Sequence, residues 1–224
     1  MKPHAGFLIE AALFIAFLSG CQRPSFPPIA KEPIPAPSVT TVVVEKGSNL
    51  RTIAAAAYGH ARFSGFVARL NNISDPDQVV AGTTLNTPSL SVAFRDLGLD
   101  PSYQPAMNAL AKACADYYSA LPAYMKVREA SGVSSRTVEI PSNIQSRFLA
   151  SAELIDRANL LLGAVKPPDS VPRQSIGQFH QASTLIRSLA AGSTDRDGLD
   201  LDMVGQRFGL GFTDAIIWTQ EHYH

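Results

Sequence analysis

The sequence predicts a small α+β unit of βααβ order near the amino terminus, followed by an all-α helical bundle. Two β-branched strand signals bracket two short helical patterns within residues 39–89, and from residue 97 onward the apolar residues recur with helical period only. The chain has 224 residues, 46% of them hydrophobic, which is enough for one or two compact units. Its 19 basic residues balance 19 acidic ones, so it lacks the electrostatic footprint of a nucleic-acid binder, and nucleic acid is not an expected partner.

The βααβ unit opens with Val39-Thr40-Thr41-Val42-Val43-Val44, a strand signal that stops at Glu45-Lys46-Gly47. Ser48 and Asn49 offer capping oxygens to a helix with Leu50, Ile53 and Ala57 on one face, and Tyr58-Gly59 ends it. A second helical run carries Phe63, Phe66, Val67 and Leu70 and closes at Asn71-Asn72. The chain turns at Asp75-Pro76-Asp77, and Gly82 precedes a short strand over 83–87 bounded by Pro88.

These residues bear a specific likeness. Gly47-Ser48-Asn49-Leu50-Arg51-Thr52-Ile53-Ala54, Tyr58-Gly59, Phe63 or Phe66, Asn71-Asn72-Ile73 and the ungapped stretch from Asp75 to Pro88 resemble the LysM family pattern in order and spacing. Ser48, Asn49 and Ala81 depart from the residues usual in the family, and Ser and Asn preserve capping. The resemblance covers about fifty residues, those of the 39–89 unit. It implies binding of N-acetylglucosamine-containing glycans, chiefly peptidoglycan, in a shallow groove between two loops. Carried onto this chain, the groove comprises Gly47, Ser48, Asn49 and Leu50 on one side. Asn71, Ile73, Asp75, Pro76, Val79, Val80, Ala81 and Gly82 form the other. Backbone groups at Gly47 and Gly82 are expected to hydrogen-bond N-acetyl groups, with Leu50, Ile73 and Val79 receiving the methyl.

Before this unit the chain carries a leader and a spacer. Residues 1–20 join a weakly basic start to an apolar stretch from Ala11 to Leu18, the outline of a secretory signal and too short to span a membrane comfortably. The junction Leu18-Ser19-Gly20-Cys21 resembles the lipobox of bacterial lipoproteins, which implies acylation of Cys21 and stable attachment to a membrane. Gln22 follows, not the aspartate of inner-membrane retention, so the resemblance implies a periplasm-facing anchor in the outer membrane. Residues 21–38 are rich in proline and read as an extended tether of about 50 Å.

The bundle, residues 97–224, is predicted from four stripes. Met107, Leu110, Cys114, Tyr117, Leu121 and Met125 form the first, with Pro122 expected to kink or interrupt it. Ile144, Phe148, Ala152, Ile155 and Leu162 form the second, between Pro141 and Gly163. Ile176, Phe179, Leu185, Ile186 and Leu189 form the third. The fourth starts near Asp200 with Leu201, Val204 and Phe208, then meets a glycine-rich break before Phe212, Ile216 and Trp218.

No catalytic constellation emerges. Cys114 sits mid-helix on an apolar stripe rather than at a helix start beside a histidine, so its pairing with His180 or His222 as a nucleophile is not expected. The run from Asp195 to Asp202 lacks the bidentate carboxylate of a calcium loop, because Val204 stands at its twelfth position. Gly205, Gly209 and Gly211 lie in a helical pattern and form no phosphate loop, and close helix packing or a kink accounts for them. His222 and His224 have no third ligand type nearby, so no metal and no cofactor is expected. The expectation is a non-enzymatic envelope lipoprotein that binds peptidoglycan and whose helical part meets another envelope protein. The rival is a cell-wall-processing enzyme targeted by the same module.

Overall fold

The computed structural model describes residues 41–75, 79–131, 137–164, 172–193 and 199–223. The leader, Cys21, the tether, Pro76, the loop aspartates Asp195 and Asp197, and His224 lie outside the described residues. The fold is mostly helical, with one small two-stranded sheet.

Strand β1 (Thr41–Val43) leads into α1 (Leu50–Tyr58), a 3-10 turn (Ala61–Phe63), α2 (Ser64–Leu70) and strand β2 (Thr84–Asn86). The strands pair antiparallel in the register Thr41 with Asn86, Val42 with Leu85 and Val43 with Thr84. Asn49 caps α1 as expected. Its side chain accepts from the Thr52 N–H at 3.0 Å, and the Thr52 hydroxyl lies 3.2 Å from the Asn49 N–H, a reciprocal capping box. Gly59 closes the helix.

A short helix, α3 (Leu90–Asp96), follows where the stripes predicted nothing. Seven residues are too few to display a period, and Leu90, Ala93 and Phe94 hold it by burial. Then come α4 (Gln104–Ser131), α5 (Ser142–Ala164), α6 (Arg173–Ala190) and α7 (Leu199–Tyr223). These four pack in sequence, α4 on α5, α5 on α6 and α6 on α7. The stripe residues Met107, Leu110, Cys114, Tyr117 and Leu121 are buried, as are Ile144, Phe148, Ala152, Ile155 and Leu162.

Pro122 was expected to kink or interrupt its helix and a glycine-rich break was expected before Phe212, and neither helix is interrupted. Helix α4 continues through Pro122, because Leu121 before it and Tyr124 after it are both buried, and that burial outweighs a proline cost of about 3 kcal/mol. Helix α7 continues through Gly205, Gly209 and Gly211. There the glycines serve close approach. A Cβ at Gly209 would lie 2.6 Å from the Arg62 carbonyl carbon, and one at Gly211 would lie 2.8 Å from the Phe179 ring.

Buried serines add a polar lacing between helices. Ser151 of α5 donates to the Ala113 carbonyl of α4 at 2.8 Å, and Ser175 of α6 donates to the Gly211 carbonyl of α7 at 2.9 Å. Each uses the second lone pair of a carbonyl that also serves its own helix. Ser183 joins α6 to Asp156 of α5 at 2.7 Å, and Arg187 pairs with the same carboxylate.

The sequence expectation drew a unit at 39–89 apart from another at 97–224, and their interiors are continuous. One apolar cluster runs from Val44 and Leu50 through Phe94 to Phe212 and Trp218. Phe63 stacks on Phe212 at 5.8 Å between ring centroids, and Phe66 and Phe94 meet the same ring at 6.4 and 6.1 Å. At the rim of this seam, His60 Nδ1 accepts the Arg62 N–H, so Nε2 carries the proton and donates to Asp202 of α7 at 2.9 Å.

Candidate functional site

The candidate groove residues fall on the β1–α1 and α2–β2 turns. Val44 laces these turns together: its N–H donates to the Thr83 carbonyl at 2.8 Å, and its carbonyl accepts the Gly82 N–H at 2.8 Å. Glu45, Lys46 and Gly47 are thereby held beside Val80, Ala81 and Gly82, and all six are exposed. Gly47 and Gly82 take φ values of +87° and +90°, and open space surrounds the Cβ position of both. A left-handed backbone in open space is a turn requirement rather than a packing one.

The twelve expected groove positions divide by what occupies them. Leu50 is 1% exposed and belongs to the core, where it cannot meet a ligand at the surface. Asn49 is engaged in the α1 cap. Asn71 is a clasp: its amide nitrogen donates to the Val67 and Asn86 carbonyls at 2.9 and 3.0 Å, and its oxygen accepts the Asn86 N–H at 2.6 Å. It thus acts as one extra strand residue beside β2 and fixes the end of α2 to the sheet.

The chain leaves α2 through Asn72, at φ +56°, with Ile73 N–H bonded to the Ala68 carbonyl and Asn72 N–H to the Arg69 carbonyl. That is a Schellman ending with asparagine in the left-handed position usually given to glycine. Ile73 and Val79 are half-buried and pack against the core from the loop side. The Gly82 N–H, expected to face a ligand, is taken by Val44. Gly47, Asp75, Val80, Ala81 and Gly82 are exposed, with Ser48 half-buried beside them. Val80 is 69% exposed, an apolar side chain standing at the tip of the loop.

Helix α7 does not cover this tip. Its contacts with the unit run along the 3-10 turn and α2, through His60, Arg62, Gly65 and Arg69. The turns that carry Gly47 and Val80 are left in solvent.

Elsewhere the sequence candidates meet unreactive surroundings. Cys114 is 3% exposed, and burial pushes its thiol well above the ordinary range, the reverse of an activated nucleophile. His222 stacks on Trp218 at 5.1 Å and its Nδ1 lies 2.8 Å from the Trp218 carbonyl. Asp200 and Asp202 occupy the first turn of α7, where a helix amino terminus favours negative charge. Among the described residues no three His, Cys, Asp or Glu side chains gather as a metal site, and no helix is long and apolar enough to cross a membrane.

One pocket was not anticipated from the sequence. It lies between the first turn of α6, with Pro172, Arg173, Gln174 and Ser175, and the last turns of α7, with Asp214, Ile217, Trp218 and Glu221. Its volume is about 520 Å³. Burial raises the Asp214 carboxyl above its usual range. Comparison of the chain with protein-family models, with curated proteins and with solved structures gives no match in any of the three.

Proposed function

We propose that the protein is a lipoprotein anchored through Cys21, facing the periplasm from the outer membrane, that binds peptidoglycan glycan strands through the paired turns at Gly47 and Val80–Gly82. The observation that supports this reading is the tip itself. Two exposed turns are locked side by side through Val44, with apolar Val80 and Ala81 beside unshielded backbone. An N-acetylated sugar presents a methyl and an amide, and such a tip offers a partner for each.

Affinity of so shallow a surface is weak when isolated. A membrane anchor about 50 Å of tether away raises the effective concentration of cell wall to the millimolar range and compensates. The helical part then serves as a scaffold held against the wall for another envelope protein.

Co-sedimentation of the purified full-length protein with isolated sacculi tests the glycan step. Wild type should pellet with sacculi and release no muropeptides. Val80→Asp should weaken retention about tenfold while circular dichroism stays unchanged, since Val80 is exposed and makes no core contact. Val43→Asp, on an exposed strand position outside the turns, should pellet like wild type. Equal retention of Val80→Asp and wild type would reject the assigned tip, and solubilised muropeptides would replace the binder with an enzyme. Cys21→Ser should move the protein from the membrane fraction to the soluble one.

A further inference from the structure

The pocket between α6 and α7 has two electrostatic poles that do not neutralise each other. On the α6 side, the helix starts after Pro172 with no side-chain cap. The first intrahelical bond shown runs from Ile176 N–H to the Pro172 carbonyl, so the N–H groups of Arg173, Gln174 and Ser175 have no helical acceptor. Arg173 adds a full positive charge to that end, where the helix dipole favours a negative one. On the α7 side, Asp214 and Glu221 stand seven residues apart, two turns of helix, and so project on one side.

Among the described residues Asp214, Glu221 and Arg173 form no ion pair and no side-chain hydrogen bond, although all three line one pocket. Opposite charges that share a pocket yet stay apart leave room for a ligand that spans them. Ile217 and Trp218 supply an apolar wall between the poles. A volume of about 520 Å³ lies within the ordinary range for small-ligand sites, about 300–1,000 Å³.

We propose that this pocket binds a small zwitterion, a free amino acid or a short peptide held at both its charged groups. The ligand's ammonium group pairs with Asp214, the half-buried carboxylate, and its carboxylate meets Arg173 and the open first turn of α6. An ammonium partner also relieves the desolvation that Asp214 bears when charged. The site is separate from the paired turns and stands whether or not those turns bind glycan.

Trp218 is the chain's one tryptophan and lines the pocket, so its fluorescence reads occupancy directly. The probes are alanyl-alanine, N-acetyl-alanyl-alanine, which lacks the ammonium, and alanyl-alanine amide, which lacks the carboxylate. With the purified full-length protein, the free dipeptide should give a saturable change at millimolar concentration, and each blocked form should bind about tenfold more weakly. Asp214→Asn should remove the preference for the dipeptide over its N-acetyl form and keep the preference over the amide. Arg173→Gln should do the reverse. Both variants retain shape, and thermal melts confirm folding independently of binding. No saturable response to the dipeptide, equal binding of all three probes by wild type, or variants that lose no discrimination would overturn the assignment.

Discussion

At the two exposed turns, polar side chains are spent on neighbouring backbone: Asn49 caps α1 and Asn71 clasps β2. Where the same unit meets α7 the materials are reversed. Phe63, Phe66, Phe94, Phe179 and Phe212 gather without a hydrogen bond among them, and glycines on α7 let the surfaces close. The first region fixes the shape of the backbone, and the second supplies the cohesion. A two-stranded sheet with two short helices buries little by itself. Its core is completed by a helix that lies more than a hundred residues further along the chain.

The largest break in this comparison is Phe212→Ala. The ring is fully buried and touches four aromatic neighbours, at 5.0 Å from Phe179 and 5.8 Å from Phe63 among them. Its removal should cost about 3–5 kcal/mol. Because the core is continuous, chemical denaturation followed by tryptophan fluorescence and by amide exchange at β1 should still give one coincident transition, at lower denaturant. Separate transitions for the βααβ unit and the bundle would show that the seam is not cohesive.

Asn71→Ala acts on the other region. Three hydrogen bonds are lost, two of them to β2, and the expected cost is about 1–3 kcal/mol because the partners lie near solvent. Amide exchange should accelerate at Asn86 and Leu85 while the bundle helices keep their protection. Uniform acceleration across α4–α7 would contradict a local role. Asn49→Ala should cost less, about 1 kcal/mol, the usual value of a lost helix cap, and the loss should show as a lower melting temperature with an unchanged denaturant slope.

Sequence legibility divides along the same line. Cohesive stripes were readable because burial repeats with the helical period, and Phe148, Ile155 and Phe208 are buried where that period put them. Asn49 and Gly59 were readable because a cap acts within one turn of its own residue. Asn71 was read as a ligand contact because its partner is Asn86, fifteen residues away, which only the register of β2 brings near. The glycines of α7 read as lying in a helical pattern, with close packing or a kink as their use, but the neighbours that approach them were not legible. Glycine lowers helix propensity locally, whereas the gain from close approach depends on His60 and Arg62, far off in the chain. The α6–α7 pocket had no local signature at all, since Arg173 and Asp214 carry no motif and meet only through the packing of two helices.

The smallest expected effect concerns Asp214, a residue of neither region, and it depends on pH. Burial raises its carboxyl above the unfolded value of 3.8, so the folded state binds the proton more tightly than the unfolded chain does. Above the folded pKa the charged side chain therefore costs stability, and that cost disappears as pH falls through the folded value to below 3.8. Asp214→Asn removes the charge at every pH. Its melting temperature should exceed that of wild type modestly at pH 7, and the difference should shrink as both are acidified below pH 4. Adding the dipeptide should narrow the gap at pH 7 from the wild-type side, because only a charged Asp214 gains from an ammonium partner. A gap that ignores pH would mean that Asp214 is as well solvated in the fold as in the open chain, and the half-buried carboxylate would lose its reason to seek a cation.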